Sequence, residues 1–287
     1  MIVDAHHHFW DPARASYPWL TDELAAIRRP FGPADLAPEL AAANVDATVL
    51  VQTRSSLAET EEFLAIAATS PFVRGVVGWV DLTDDGVAET IARLRASPGG
   101  DRLVAIRHQV QDEPDPTWLD RPDVRRGIRA VGAAGLAYEL LVRARELPAA
   151  RRLVADEPDI RFVVDHLAKP AIRAGTDPAW DAGVVALGGL PNLWWKLSGL
   201  VTEADWTTWR IADLQPFVDR VLEVARPGRL LFGSDWPVCL LAADYGSVVA
   251  TASALIGTLS PSERAAVMGG TATSLYGLGP VPSRDGG

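Results

Sequence analysis

Eight short β-rich runs, alternating from the second onward with stretches of helical period, constrain how this chain can fold more than any other feature. The runs fall at 2–6, 47–52, 74–80, 103–108, 137–142, 162–166, 193–197 and 230–233. Helical stretches fall near 57–69, 84–96, 122–133, 145–157, 178–188, 210–226, 246–258 and 261–268. The last opens with Ser260-Pro261-Ser262-Glu263, a serine at the cap and a proline at the first helical position. Eight such units predict an α/β chain folded as a single (β/α)8 TIM barrel. A doubly wound open sheet is the competitor, but it uses fewer strands and opens its first helix with Gly-x-Gly-x-x-Gly, which this sequence lacks there. No linker or shift of composition divides residues 1–287, so one barrel domain is expected. Residues 14–38 are Pro-rich, hold Trp19 and Phe31, and are expected to be a loop insertion over the barrel mouth. From Gly279 the chain is rich in Gly and Pro and is expected to fray.

A barrel of this kind builds its site at the C-terminal ends of the strands. The first run ends in Asp4-Ala5-His6-His7-His8-Phe9-Trp10. Side chains alternate along a strand, so His6 and His8 share a face and His7 points away. Two imidazoles at i and i+2 can grip a metal or hydrogen-bond one carbonyl oxygen. Ile2-Val3 leads straight into the histidines and Phe9-Trp10 follows, which makes the tract part of the fold rather than an appended tag. Other ionisable groups stand at the same rim: Gln52 and Arg54 with strand 2, Arg107-His108 with strand 4, Tyr138 and Glu139 with strand 5, Asp165-His166 and Lys169 with strand 6, Lys196 and Ser198 with strand 7, and Asp235 with strand 8. Four of the five histidines belong to this set. Together His6, His8, His166 and Asp235 form a metal-ligand or general-base constellation. Arg107 and His108 are neighbours and cannot both face the axis of a regular strand. Asp165 is expected to point away from the barrel and cap a loop. Ten tryptophans are present, and Trp10, Trp79, Trp194, Trp195 and Trp236 flank the rim, where flat faces can stack on a sugar ring or pack wide loops. The candidates for substrate contact are Arg107, His108, Tyr138, Lys196 and Trp236.

Composition narrows the partners. A net charge of −10 argues against nucleic acid, whose phosphates need a basic surface. No apolar run approaches a membrane span of about 18 residues. A lone cysteine, Cys239, rules out an internal disulfide and suits a reducing compartment. Without a basic segment leading into an apolar one at the start, a cytoplasmic chain is expected.

The sequence resembles the amidohydrolase superfamily, in its amidohydrolase-2 branch of lactonases and related hydrolases. The matching pieces are the Asp4–Trp10 stretch, Ile106-Arg107-His108 with Gln111–Pro116, Asp165-His166 with Lys169-Pro170, Lys196-Leu197-Ser198-Gly199, and Phe232-Gly233-Ser234-Asp235-Trp236-Pro237. They run in family order over nearly the whole chain. The resemblance implies hydrolysis of lactones, such as fucono- and rhamnono-lactones or lactones from aromatic degradation. It implies that Asp235 takes the proton from water and that His6, His8 and His166 stabilise the oxyanion, directly or through one metal ion. A bridging carboxylate or lysine on the fourth strand, common where two ions bind, is replaced here by His108. At most one divalent ion is therefore expected, zinc on His6, His8 and Asp235, with a metal-free site as the alternative. The family's Asn-Ala start to its closing helix is replaced by Gly270-Thr271-Ala272 before Tyr276, where Thr271 is expected to cap. Two rival readings are a non-hydrolytic decarboxylase of the same superfamily, with Arg107 clamping a carboxylate, and a silent barrel that binds a sugar acid. Which lactone is opened, and the oligomeric state, are not written in the sequence.

Overall fold

The computed structural model describes residues 1–279, and the stretch beyond, where fraying is expected, lies outside the described residues. Eight parallel strands run in sequence order: β1 Val3–His7, β2 Ala47–Val51, β3 Val73–Gly78, β4 Leu103–His108, β5 Ala137–Leu140, β6 Phe162–Val164, β7 Leu193–Leu197 and β8 Leu230–Phe232. The sheet curls until β8 meets β1. There His7 bridges Trp236, His8 N donates to Trp236 O (2.7 Å) and Asp235 N donates to His6 O (2.8 Å). The strands are almost wholly buried, as expected of parallel strands covered on both faces.

Helices fill the outer ring: α1 Pro33–Ala42, α2 Leu57–Thr69, α3 Val87–Ala96, α4 Pro122–Ala133, α5 Leu147–Asp156, α6 Pro178–Leu187, the short α7 Leu200–Glu203, α8 Ile211–Val224 and α9 Tyr245–Leu255. Each presents an apolar stripe to the barrel, for example Phe63 and Leu64 of α2 or Ile128 and Val131 of α4. Burying such a side chain contributes about 1.5–3 kcal/mol. Ser260 caps α10 Pro261–Ala265 through a capping box with Glu263, with Pro261 at the first position as the sequence predicts.

Two features depart from the sequence reading. The tail of the 14–38 stretch enters α1, which was hidden by Pro33, Pro38 and the absence of a strong periodicity. Thr271 does not cap the final helix. Gly270 and Thr271 both have helical angles, and α11 Thr271–Tyr276 continues from α10 through the wide turn Ala266–Gly270. Thr271 therefore caps nothing, and its hydroxyl is buried without a partner.

Inside the barrel the filling is layered. At the N-terminal end Val3, Ala5, Val49, Val51, Val77, Ala105, Val163 and Leu231 pack with Leu275 and Tyr276 of α11. Arg161, just before β6, donates to Leu275 O (2.8 Å) and pins α11 across that end. No helix among the described residues is long and apolar enough to cross a membrane.

Candidate active site

A bulge between Asp4 and His7 sets the first wall. Beyond it His6 and His8 share a face, with their Nε2 atoms 3.2 Å apart, while His7 turns outward to Thr48 Oγ1 at 2.9 Å. Strict alternation would put Asp4 beside His6. Instead its carboxylate accepts from Ser234 N (2.8 Å), Ser234 Oγ (2.6 Å) and the Tyr245 hydroxyl of α9 (3.1 Å). Asp4 thus ties β1 to the turn after β8. That turn delivers Asp235, whose Oδ1 lies 3.3 Å from His8 Nε2, 3.7 Å from His6 Nε2 and 3.8 Å from His166 Nε2.

His166 arrives by an unusual route. β6 stops at Val164, and His166, Leu167, Ala168 and Lys169 then take φ of 52°, 49°, 63° and 51°. This is a left-handed turn built without glycine, which costs about 1–2 kcal/mol per residue. It is held by burial of Leu167 and Ala168 and by Trp180 Nε1, which donates to Leu167 O (2.6 Å). Ser198 Oγ lies 2.9 Å from His166 Nδ1. Two motif glycines make room for the rings: a Cβ on Gly199 would lie 2.5 Å from His166 Nδ1, and one on Gly233 would lie 2.6 Å from the His6 Cβ.

Directly beneath lies a buried ionic layer. Arg107 donates to Asp165 Oδ2 (2.8 Å) and to Gln52 Oε1 (2.9 Å from Nη2), also contacts the Gln52 carbonyl, and comes within 3.3 Å of His6 Nε2. Lys196 Nζ lies 2.5 Å from Glu139 Oε2, 3.1 Å from Asp165 Oδ1 and 3.2 Å from His6 Nδ1. Above these groups opens a cavity of about 340 Å³. Its apolar wall includes Trp19 and Leu24 from the 14–38 stretch, and its polar wall includes Gln111, Arg143, Lys169 and Glu203.

Comparisons with known proteins give the family. The family model described as amidohydrolase matches residues 3–278. The chain belongs to the amidohydrolase family. An L-fucono-1,5-lactonase of Burkholderia ambifaria is 39% identical over 278 residues, 96% of this chain and 94% of that protein. Its namesake from Burkholderia multivorans is 39% identical over 98% of this chain and 97% of its own length. A crystal structure of a Burkholderia multivorans amidohydrolase with bound zinc superposes with a TM-score of 0.91 at 36% identity, covering 97% of this chain and 99% of that one.

This amidohydrolase has a donor set that fits one divalent ion. His8 Nδ1 lies 2.7 Å from the Val51 carbonyl, which can only accept, so Nδ1 carries the proton and a neutral His8 turns a lone pair inward from Nε2. That lone pair meets His6 Nε2 at 3.2 Å and a carboxylate oxygen at 3.3 Å. With the His6 Nε2 lone pair turned to the same point, a cation at their centre would satisfy all three. The nitrogens and oxygen of His6, His8 and Asp235 all lie within 4.8 Å of one another, a nitrogen–oxygen set that suits zinc. His6, Asp165 and His166 form a second such group, but both Asp165 oxygens already face cations, Lys196 and Arg107. Among the described residues one open site remains.

The charges are sorted by burial. Burial holds His166 down at about 4 although Asp235 pulls it up, and burial with Lys196 beside it holds His6 well below the usual histidine range. Burial pushes Asp235 up, but His166, His8 and Lys169 outweigh it and keep the carboxyl below its ordinary value. Near neutral pH Asp235 is therefore a carboxylate facing a neutral His166. Glu139 is pushed up to about 7 by burial, with Lys196 opposing.

Of the residues expected to contact substrate, only Arg107 lines the cavity. His108 faces outward, stacked on Trp118 with centroids 4.3 Å apart, accepting from Trp79 Nε1 (3.0 Å) and bonded to Glu113 (2.7 Å). Tyr138 is fully buried and its hydroxyl has no partner. Lys196 is fully buried below the cavity, and Trp236 packs against Phe9 and Phe31. Alternation explains the first two. Arg107 and Glu139 are register partners that face the axis, which turns their neighbours His108 and Tyr138 away. Asp165 was expected to point outward but faces inward, because the turn after it breaks the alternation and aims both Asp165 and His166 at the axis. Gln52 and Glu139 stand at the rim in the sequence reading without a role, and Asp4 enters only as part of the histidine motif. Their only signal was a polar residue inside an apolar strand or at its edge.

Proposed function

We propose that this amidohydrolase opens a sugar-acid lactone to the hydroxy acid, with Asp235 as the general base. The convergence of three imidazole nitrogens on one Asp235 oxygen, all within 3.8 Å at the cavity floor, carries this reading. The likeness to proteins named L-fucono-1,5-lactonase over nearly the full chain supports the substrate class. Asp235 takes a proton from water, and the hydroxide attacks the lactone carbonyl carbon. Charge grows on the carbonyl oxygen. With Ser198 Oγ as the donor to its Nδ1, His166 would offer an Nε2–H to it. As the ring C–O bond breaks, the proton held by Asp235 passes to the departing ring oxygen. His6, His8 and Asp235 would hold the divalent ion, zinc first, which when bound supplies Lewis-acid polarisation of the carbonyl.

Residues 14–38 serve as the cover of this cavity, with Trp19 and Leu24 forming apolar wall. The partner is a small molecule rather than nucleic acid, given the net charge of −10, and the compartment is the cytoplasm, as the single cysteine suits. The decarboxylase reading needs Arg107 free to clamp a carboxylate, and Arg107 is already engaged by Asp165 and Gln52. The test is acid release on mixing the protein with a panel of sugar lactones, beside carbon dioxide evolution from aromatic acids. Acidification that disappears in Asp235→Asn supports the reading; activity kept in that variant refutes the base.

A further inference from the structure

The final helix reaches the catalytic layer from below. Tyr276, on α11 at the closed end of the barrel, sends its hydroxyl up the axis to donate to Glu139 Oε1. The other Glu139 oxygen holds Lys196 Nζ at 2.5 Å. Lys196 in turn lies 3.1 Å from Asp165 Oδ1, and that oxygen lies 3.4 Å from His6 Nδ1. The column runs from α11 to the ring that faces the cavity, through side chains that are 6% exposed at Tyr276 and fully buried from Glu139 onward.

A folding role alone explains this column poorly. A buried lysine–glutamate pair is rarely more stabilising than apolar side chains of the same volume. The adjoining layer of the same barrel is filled with Val, Ala and Leu. The ionic pair sits instead at the one level where it touches an imidazole of the site. His6 Nδ1 faces both Asp165 Oδ1 (3.4 Å) and Lys196 Nζ (3.2 Å); where the carboxylate takes the Nδ1 proton, the lone pair of His6 Nε2 is turned toward His8 and Asp235. Mutating a carboxylate that orients a metal-ligating histidine typically costs 10- to 100-fold in metal affinity or activity.

We propose that Tyr276 and Glu139 are positioning residues, acting through Lys196 to hold Asp165 against His6 and so to aim the His6 lone pair into the site. The inference rests on the reading of His6, His8 and Asp235 given above. Tyr276→Phe removes one hydroxyl, and Glu139→Gln keeps the shape while removing the charge. Both are compared with wild type for zinc affinity, by competition with a chromophoric chelator, for kcat and KM on a lactone, and for melting temperature. The expected result is zinc binding weaker by about 10-fold or more and kcat lowered with KM nearly unchanged, while Tyr276→Phe melts within a few degrees of wild type. Wild-type zinc affinity and kcat in both variants overturn the proposal. So does a loss that vanishes when the assay is run well below the melting point, since that marks a purely structural role. Asp235→Asn is measured alongside. If it is inactive while Tyr276→Phe is unimpaired, only the positioning role fails. If Asp235→Asn is fully active, the reading beneath it fails and the proposal falls with it.

Discussion

The two halves of the barrel interior could hardly be less alike. The lower layer is Val, Ala and Leu packed beneath α11, and every group there is content without water. The upper layer crowds His6, Arg107, Glu139, Asp165, Lys196 and Asp235 into the same width, each 5% exposed or less. The lower layer gains free energy from burial. The upper layer loses it by desolvation and recovers part through mutual contacts. The difference teaches where each property resides: stability below and in the outer ring, chemistry above.

The sharpest way to break that comparison is Asp235→Asn. Turnover should fall on the order of 10² to 10⁴-fold, as for loss of a general base, while the melting temperature stays near wild type. Steady-state kinetics beside a thermal melt decide it. The mirror experiment is Leu231→Ala in the fully buried lower layer. Stability should drop by about 2–5 kcal/mol in a denaturant titration, with kcat per folded molecule unchanged. A large loss of kcat there would mean that the layers are not separable.

Metal content sharpens the comparison further. Analysis of the purified protein should find no more than one tightly held ion per chain, because among the described residues the second candidate group relies on Asp165, whose oxygens already face Lys196 and Arg107. A chelator should lower activity far more than it lowers the melting temperature. Two tight ions would contradict the ligand count.

A smaller effect concerns acid. His7 lies just outside the barrel wall, and burial pushes it down to about 3. A neutral buried histidine of this kind contributes stability that is present above the ordinary value near 6.5 and lost as pH falls toward 3. The stability difference between wild type and His7→Asn should therefore shrink as pH is lowered from 6.5, measured by denaturant titration at each pH. A difference independent of pH would remove His7 from the acid response.

How much of this was legible in the chain follows from periodicity. Eight repeats of strand and helix announce a barrel, and alternation brings His6 and His8 together without further information. Legibility stops where the period breaks. The bulge in β1 sends Asp4 outward, and the turn after Val164 brings Asp165 inward, because neither a bulge nor a left-handed turn without glycine has a sequence signature. Glu139 was visible as a polar residue on a strand. Which of Tyr138 and Glu139 faces the axis depends on register against Arg107, and a single strand does not reveal that. The tie from Tyr276 to Glu139 spans 137 positions and has no local trace at all.

The left-handed turn that carries His166 has a consequence for heat. Four L-residues held in a mirror-image conformation store strain, about 1–2 kcal/mol each, that a locally opened form would release. Burial of Leu167 and Ala168, the Trp180 indole bond and the seat of His166 on Ser198 retain the turn. Warming should release the turn before the barrel melts, swinging one imidazole out of line while every strand stays paired. Such an enzyme would fall silent reversibly some degrees below its melting point, and amide exchange at residues 166–169 would report the opening first.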